Sequence, residues 1–236
     1  MSSASNVDLR LLQLLQLADS AVPIGGMAHS FGFETLTAEG ILSSEGLESF
    51  LESYLEEAGK LEAVFCRTAF RLASEPHNGL DRNRWLAIND RLSALKLAQE
   101  ARTASVTLGE NLLLFLQRLG DFALLREAVL AAKQTRSGIH HSPAFGLAAG
   151  VLAWDEDEAV QAFLHHSTAG LVFAGQRLLP LGQTAAARIL WNLKSAIAET
   201  ARASRNIAFE DAACFTPLLD WGAFAHPGLS TRLFMS

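Results

Sequence analysis

Apolar residues recur at steps of three and four along most of the chain. The clearest run follows Ser44, with apolar residues at positions 47, 50, 51, 54, 55, 58, 61, 65, 69 and 72. These steps place side chains on one face of a helix with 3.6 residues per turn. We expect Ser44 to be the N-cap, because Glu45 and Glu48 suit the positive end of a helix dipole. Gly59 is a candidate break between two helices.

The same period predicts further helices over residues 85–97, 102–119, 121–133, 143–154, 156–179 and 184–203. Asp155 and Glu158 have the spacing of a capping box, and Pro180 ends the helix that they begin. Strand signals are nearly absent, since no alternating Val/Ile/Thr runs flank an Asn-Gly or Asp-Gly turn. We therefore predict an all-α, single-domain bundle of about eight to ten helices over residues 1–205.

Residues 206–236 lack a sustained helical period and contain two prolines and two glycines. This composition predicts a less regular C-terminal tail of short helical turns and extended chain. The segment nevertheless contains large apolar side chains, which a solvated, disordered tail normally avoids. They are Phe215, Leu218, Leu219, Trp221, Phe224, Leu233 and Phe234. We expect them to be buried either on the chain's own core or on a partner.

Composition narrows the classes of function. The net charge is −6 without a cluster of Lys and Arg, so nucleic-acid binding is not expected. Cys66 and Cys214 form no Cys-x-x-Cys pair, which argues against a disulfide framework and suits a reducing cytoplasm. The start of the chain does not resemble a signal peptide, and the apolar stretches are too short to span a bilayer. We expect a cytoplasmic protein without a membrane contact.

Candidate chemistry is sparse. His140–His141 and His165–His166 are adjacent pairs, and neighbouring residues on a helix point about 100° apart, so one pair does not easily bind one metal ion. They are interpreted as surface or cap histidines, with a transient nickel contact as the alternative. His-Glu-x-x-His, Gly-x-Ser-x-Gly and Walker A motifs are absent. We therefore expect no catalytic residue, no metal site, no cofactor and no enzymatic activity.

Two loops combine proline with glycine beside apolar runs. They contain Pro23, Gly25 and Gly26 in one case and Pro180 and Gly182 in the other. Plain helix connectors explain such loops more often than function does.

These loops and their flanks resemble motifs of the urease accessory protein F family. The matching segments are residues 14–26 followed by Ser30, Gly32, Phe33 and Glu34; Arg102, Ser105, Gly109 and Leu112; and residues 141–146, 177–183 and 232–236. Each match is weak alone, but together they keep their order over nearly the whole chain. The chain departs from the family near His29, where an aromatic residue is common, and in the tail, where His226 precedes Pro227 instead of Glu.

The resemblance implies an all-α homodimer that binds accessory protein D/H and, through it, the GTPase accessory protein G. The complex delivers nickel to apo-urease, and this chain is its non-catalytic adaptor and regulator. The partner-binding residues carried over are Pro23, Gly25, Gly26, Ser30, Glu34, Pro180, Leu181, Gly182, Gln183, His226, Arg232, Leu233, Phe234 and Ser236. Arg232 and Phe234 fit the profile of anchors, since guanidinium groups pair bidentately and aromatic rings fill pockets.

Two other functions remain open at this level. One is a helical adaptor for a metallocentre other than that of urease. The other is a small all-α ligand-binding protein or enzyme, which would need polar groups that converge in a pocket. Urease structural genes beside the gene would favour the urease role.

Overall fold

The structure is a computed structural model that describes residues 3–75 and 79–236, with side chains from residue 9 onward. Within these ranges it contains twelve α-helices and no strand, which confirms the all-α prediction. The helices are α1 (Ser3–Ala18), α2 (Phe33–Ala38), α3 (Leu47–Tyr54), α4 (Lys60–Ser74), α5 (Arg82–Leu95), α6 (Gln99–Leu119), α7 (Ala123–Thr135), α8 (His141–Val151), α9 (Glu156–Leu178), α10 (Gln183–Asn192), α11 (Lys194–Ala203) and α12 (Pro217–Ala225).

The helical run after Ser44 differs from its prediction at two positions, Ser44 and Gly59. Helix α3 begins at Leu47 with Gly46 as its N-cap, because residues 43–46 form a turn in which Ser43 Oγ accepts the Gly46 N–H. Gly59 does not separate two helices. A π-helical turn over Leu55–Gly59 joins α3 directly to α4, and one long rod results.

The predicted helix over residues 184–203 is divided in two. Leu193 leaves regular helical geometry with ψ of −7° and lies wholly buried between α10 and α11. Counting α3 with α4 as one continuous rod, and α10 with α11 as another, leaves ten helical rods among the described residues. This number agrees with the predicted eight to ten. The cap of α9 is as expected, since Asp155 Oδ1 accepts the N–H groups of Asp157 and Glu158 at 2.9 and 3.0 Å.

Helix α8 forms the centre of the core. All residues from His141 to Ala149 are buried, and α8 packs on α4, α6 and α9. The contact with α4 is backbone to backbone, because a Cβ at Gly146 would lie 1.9 Å from the Cys66 main-chain oxygen. Gly109 of α6 similarly allows the Ile139–His140 backbone to approach. These close contacts fix the start of α8, where two histidines lie.

The chain after α11 returns to the bundle. Buried Arg67 donates to Glu156, Asp157 and the Ala201 main-chain oxygen, which holds the end of α11 against α9. The expected irregular tail then contains the nine-residue helix α12, which packs against α2 and α6. Pro217 is tolerated there because it occupies the first turn, where its missing N–H is not needed.

No helix in the described part of the chain has the length and apolarity to cross a membrane.

Candidate functional site

The N-terminal motif forms a tight loop between α1 and α2. Gly25 and Gly32 have φ of 92° and 93°, in the left-handed region that favours glycine. Asn111 of α6 holds the loop by donating to the Ile24 main-chain oxygen at 2.9 Å. Glycine is favoured at position 32 for a second reason, because a Cβ there would lie 3.0 Å from backbone atoms of α12. The loop is therefore shaped to receive the C-terminal segment.

Ser236 is held by the first turn of this motif. Its main-chain oxygen accepts the N–H groups of Ser30 and Phe31 at 2.5 and 3.2 Å, and the Ser30 hydroxyl at 2.9 Å. Its side-chain oxygen lies 2.8 Å from His29 Nδ1. Met235 N–H donates to the main-chain oxygen of Ala28 at 2.8 Å. Each of these polar contacts joins residues 28–31 to the last two residues.

Glu34 holds the preceding residues of the tail. Its buried carboxylate accepts the Leu233 and Phe234 N–H groups at 2.5 and 3.0 Å, and it lies 3.0 Å from His226 Nε2. Burial alone would raise the pKa of Glu34. The hydrogen bonds from Leu233, His226 and Phe234 outweigh burial, so the pKa lies below its ordinary value. Glu34 is therefore ionised and acts as an acceptor for the tail.

His226 lies between two carboxylates. The ring is wholly buried, with Nε2 at Glu34 and Nδ1 2.7 Å from Glu100 Oε2. Each ring nitrogen thus lies within hydrogen-bond distance of a carboxylate oxygen. His226 therefore joins Glu34 of α2 to Glu100 of α6 inside the fold.

Phe234 packs on its own chain. It is 5% exposed, and the Arg177 guanidinium carbon lies 4.3 Å from its ring centre. Arg177 also donates to the Met27 main-chain oxygen at 3.1 Å. The aromatic ring is therefore not free at the surface as a partner anchor while the tail is docked. Arg232 remains about half exposed, 3.6 Å from Glu100.

We call Ser30, Glu34, Glu100, Arg177, His226, Phe234 and Ser236 the tail clamp. Five of them, Ser30, Glu34, His226, Phe234 and Ser236, are among the residues that the motifs predicted, and the structure brings them into one cluster with Arg232 and Leu233 at its rim. Glu100 had no signal in the sequence. Arg177 lies in the 177–183 motif, but its role against Phe234 was not predicted.

The remaining predicted residues lie in two loops and at the start of α10. Pro23, Gly25 and Gly26 lie in the loop before the clamp. Residues 180–182 connect α9 to α10, whose first residue is Gln183; Leu181 is half-buried and the other three are exposed. The connector does not require glycine at position 182, because the φ of Gly182 is −72° and a Cβ there would meet no described atom within 4 Å.

The apolar side chains of the tail are divided between core and surface. Phe234 is buried, but four others form an exposed row along α12 and the residues before it. This row, which we call the α12 face, consists of Phe215, Leu218, Trp221 and Phe224, exposed by 78, 49, 43 and 58%. Exposed Leu233 and Met235 follow in the docked tail. Contiguous apolar surface of this kind is typical of a protein-binding site.

Of the two interpretations of the adjacent histidines, a cap position is found for His140, the N-cap residue of α8, whereas a surface position is wrong for three of the four. His140, His141 and His166 are buried, because the start of α8 is enclosed by α6 and α9. His140 lies between Ser105 Oγ at 3.0 Å and Ser93 Oγ at 2.7 Å. Burial, followed by the nearby Lys96 charge, lowers the pKa of His140 to about 3. Such a weak base does not activate a serine hydroxyl effectively.

A pocket of about 150 Å³, partly open to solvent, is lined by residues of the loop after α1, of α4, α6 and α9, and of the segment 214–223. His29, His141 and His166 contribute to its wall, as do the half-buried Glu62–Lys96 ion pair and Cys214. Within the described ranges, no three or more His, Cys, Asp or Glu side chains are grouped to hold a metal ion.

The fold and the clamp define an all-α domain whose N-terminal and C-terminal motifs dock on each other. A sequence model of the UreF family matches residues 41–194. The urease accessory protein UreF of Actinobacillus pleuropneumoniae is 31% identical over 224 residues, covering 94% of this chain and 97% of the relative. Those of Nostoc sp. and Corynebacterium efficiens are 29% and 30% identical, with coverage of 100% of both chains in the first case and of 96% and 97% in the second. The chain belongs to the urease accessory protein UreF family.

Proposed function

We propose that this chain is a non-catalytic adaptor and regulator in the nickel-delivery complex that matures the urease metallocentre. In this role it is a cytoplasmic homodimer that binds accessory protein D/H and, with it, the GTPase accessory protein G. Membership of the UreF family supports the urease role. The exposed α12 face supports a stable partner, because large aromatic groups are common at the centre of protein interfaces.

The buried polar groups also favour an adaptor over an enzyme. The Ser105–His140–Ser93 arrangement has the residue types of a nucleophile and base, but the pKa of His140, about 3, leaves the ring a poor proton acceptor. Glu62 is engaged by Lys96 and Ser142. Each of these polar groups therefore has a hydrogen-bond or ion-pair partner within the fold, as in a fully satisfied buried network.

The proposal is tested by co-expression of the chain with the D/H and G proteins. We expect tagged chain to capture D/H, and the pair to capture G. In cells that lack the endogenous protein, expression should restore urease activity without altering the amount of apo-urease. Normal activation in its absence, or no capture of D/H, would contradict the adaptor role.

The α12 face is expected to carry much of the contact with D/H. Substitution of both Trp221 and Phe224 by serine removes two exposed rings and should weaken D/H capture by at least about thirtyfold, since each buried aromatic anchor contributes on the order of 1–2 kcal/mol. Trp191→Ser is the control, because Trp191 is 69% exposed on α10, away from the α12 face. Equal losses from both changes would argue against a specific face.

The start of α10 provides a second expected contact. Gln183 is exposed and both donates and accepts hydrogen bonds. Gln183→Ala should reduce complex formation or urease activation by roughly fivefold, the effect of one interface hydrogen bond of about 1 kcal/mol, with unchanged helicity by circular dichroism. Thr184→Ala, at the next exposed position, is the matched control. Full activation by Gln183→Ala at normal expression would remove this part of α10 from the interface.

A further inference from the structure

The partly open pocket beside α12 has one wall formed by an irregular part of the α3–α4 rod. Tyr54 precedes the π-helical turn Leu55–Gly59 and Ala58 lies within it, and both side chains line the pocket. The Thr200 hydroxyl stabilises the turn by donating to the Leu55 main-chain oxygen at 3.3 Å. Single π-helical turns occur frequently at functional sites, because they change the direction of the side chains around them.

The size and lining of the pocket suit one ring-sized organic molecule. Its volume of about 150 Å³ equals that of an engineered apolar cavity in another protein that binds benzene. Most of the wall is apolar and includes Leu61 of α4, Leu108 of α6 and Leu171 of α9, all of which are buried. An apolar wall with a few polar groups is the usual composition of a small-molecule site.

The charged side chains of the wall do not balance. Glu62 pairs with Lys96, which leaves the carboxylate of Asp220. Among the described residues it has no ion-pair partner and receives one hydrogen bond, from the Thr216 hydroxyl at 3.4 Å. Burial raises the pKa of Asp220 more than Thr216 and Lys96 lower it. A cation beside the carboxylate would offset this effect of burial.

The histidines of the wall do not supply that cation. Burial lowers the pKa of each of them, so at neutral pH their rings are uncharged. The charges of Glu62, Lys96 and Asp220 therefore leave the wall with a net charge of −1.

Helix α12 fixes Asp220 at the wall. Asp220 and Ala223 line the pocket, whereas Trp221 is exposed on the opposite side of the helix. Gly222 brings the helix close to the loop before α2, because a Cβ at Gly222 would lie 2.8 Å from the Gly32 main-chain oxygen. Close backbone packing, rather than a basic partner, thus holds the carboxylate in place.

We propose that the pocket binds a small organic monocation, in which an ammonium or guanidinium group is attached to an apolar body of about one ring. The apolar body fits the space between the leucine side chains, and the cationic group pairs with Asp220. A neutral molecule of the same shape lacks the ion pair, and an anionic one is repelled by the carboxylate. The ligand contacts the inner side of α12, so this site is separate from the α12 face and does not rest on the proposed function.

The proposal is tested by NMR titration of the full, tag-free chain with phenethylamine, phenethyl alcohol and phenylpropionate. These probes share a ring and differ in charge. Phenethylamine should shift the methyl signals of Leu108 and Leu171 with a Kd on the order of 0.1–1 mM, as expected for a ligand of this size. The alcohol should bind about tenfold more weakly, because it lacks the charged hydrogen bond. The methyl signals of Leu125, which is buried outside the pocket, are the control.

Two variants test the two halves of the site. Asp220→Asn should remove the preference for the amine over the alcohol, and Asp211→Asn, at an exposed position outside the pocket, should retain it. Gly170→Leu should weaken binding of both probes by about tenfold or more, because Gly170 lines the pocket and a Cβ there would meet no described atom within 4 Å. Its midpoint of thermal unfolding should not fall, since leucine favours a helix more than glycine does.

Equal binding of the amine and the alcohol, or no shift at about ten times the expected Kd, would reject the monocation site. Displacement of D/H by phenethylamine would assign the pocket to a basic side chain of that partner and overturn a small-molecule ligand. Capture of D/H without binding of the amine would leave the adaptor role intact and reject the site. Binding of the amine without capture of D/H would do the reverse.

Discussion

Glu34→Gln is expected to release residues 226–236 from the bundle and to lower the free energy of unfolding by about 3 kcal/mol. The carboxylate accepts two main-chain N–H groups and lies 3.0 Å from Nε2 of buried His226. Glutamine has the same shape but one acceptor oxygen and an NH2 group, which would face donors. His226 would also lose one of its two carboxylate partners. Urea denaturation measures the stability change.

Hydrogen exchange distinguishes release of the tail from general destabilisation. In Glu34→Gln, the amides of Leu233 and Phe234 should exchange much faster. The amides of α8 should accelerate only by the amount that corresponds to the loss in the global free energy of unfolding. Glu39→Gln is the control, because Glu39 is exposed at the end of the same helix α2. Unchanged protection of Leu233 and Phe234 in Glu34→Gln would show that the carboxylate does not hold the tail.

Lowering the pH from neutral to below the carboxyl range is expected to open the tail clamp by roughly ten- to a hundredfold, because one hydrogen bond to a charged group contributes about 1.5–3 kcal/mol. The Glu34 carboxylate accepts the Leu233 and Phe234 N–H groups. Burial alone would raise the pKa of Glu34, but the hydrogen bonds from Leu233, His226 and Phe234 hold it below its ordinary value. Protonation would weaken the acceptor that holds both N–H groups.

The direction of the pH effect follows from the charge state of Glu34. Because its pKa is lowered in the docked state, its contribution to docking is present above the ordinary carboxyl range and is lost as the pH falls through the lowered pKa. Tail docking should therefore weaken in acidic solution.

A local measurement is required, because the buried histidines also destabilise the folded chain as the pH falls. Burial lowers the pKa of His140, His141 and His166, so protonation of these rings favours unfolding. Exchange rates of the Leu233 and Phe234 amides, corrected for intrinsic exchange at each pH, report the clamp alone. Glu34→Gln should abolish the dependence of these rates on pH, while Glu39→Gln should retain it. A clamp that opens equally at neutral and acidic pH would contradict an ionised Glu34.

Local signals in the sequence predicted local structure well. Asp155 was identified as a cap from its spacing to Glu158, and Pro180 as a terminator because proline lacks an N–H. The division at Leu193 was missed, since Leu193 and Ile197 keep a helical spacing across it. Helix α12 was missed because the prolines and glycines of residues 206–236 indicated an irregular chain. Gly222 instead lets α12 approach Gly32, a contact between distant segments.

The candidate site could be predicted only as a set of residues. Family motifs identified Glu34, His226 and Phe234, but the sequence did not indicate that they contact one another. Their positions differ by nearly two hundred residues, and periodicity carries no information at that distance. The convergence of His141 and His166 was invisible for the same reason. Burial of a charged cluster depends on tertiary packing, and a single sequence does not show which distant residues pack together.

The long separation within the clamp also orders the events of folding. Ser30 and Ser236 are 206 positions apart, so their contact closes a loop that contains most of the chain. Contacts of this kind form late, because the entropy of closing the loop is compensated only after the intervening helices have collapsed. The helices from α3 to α11 would then assemble first, while residues 28–34 do not yet contact the C-terminal segment. A newly made chain would therefore pass through a folded bundle with a free tail before the clamp closes.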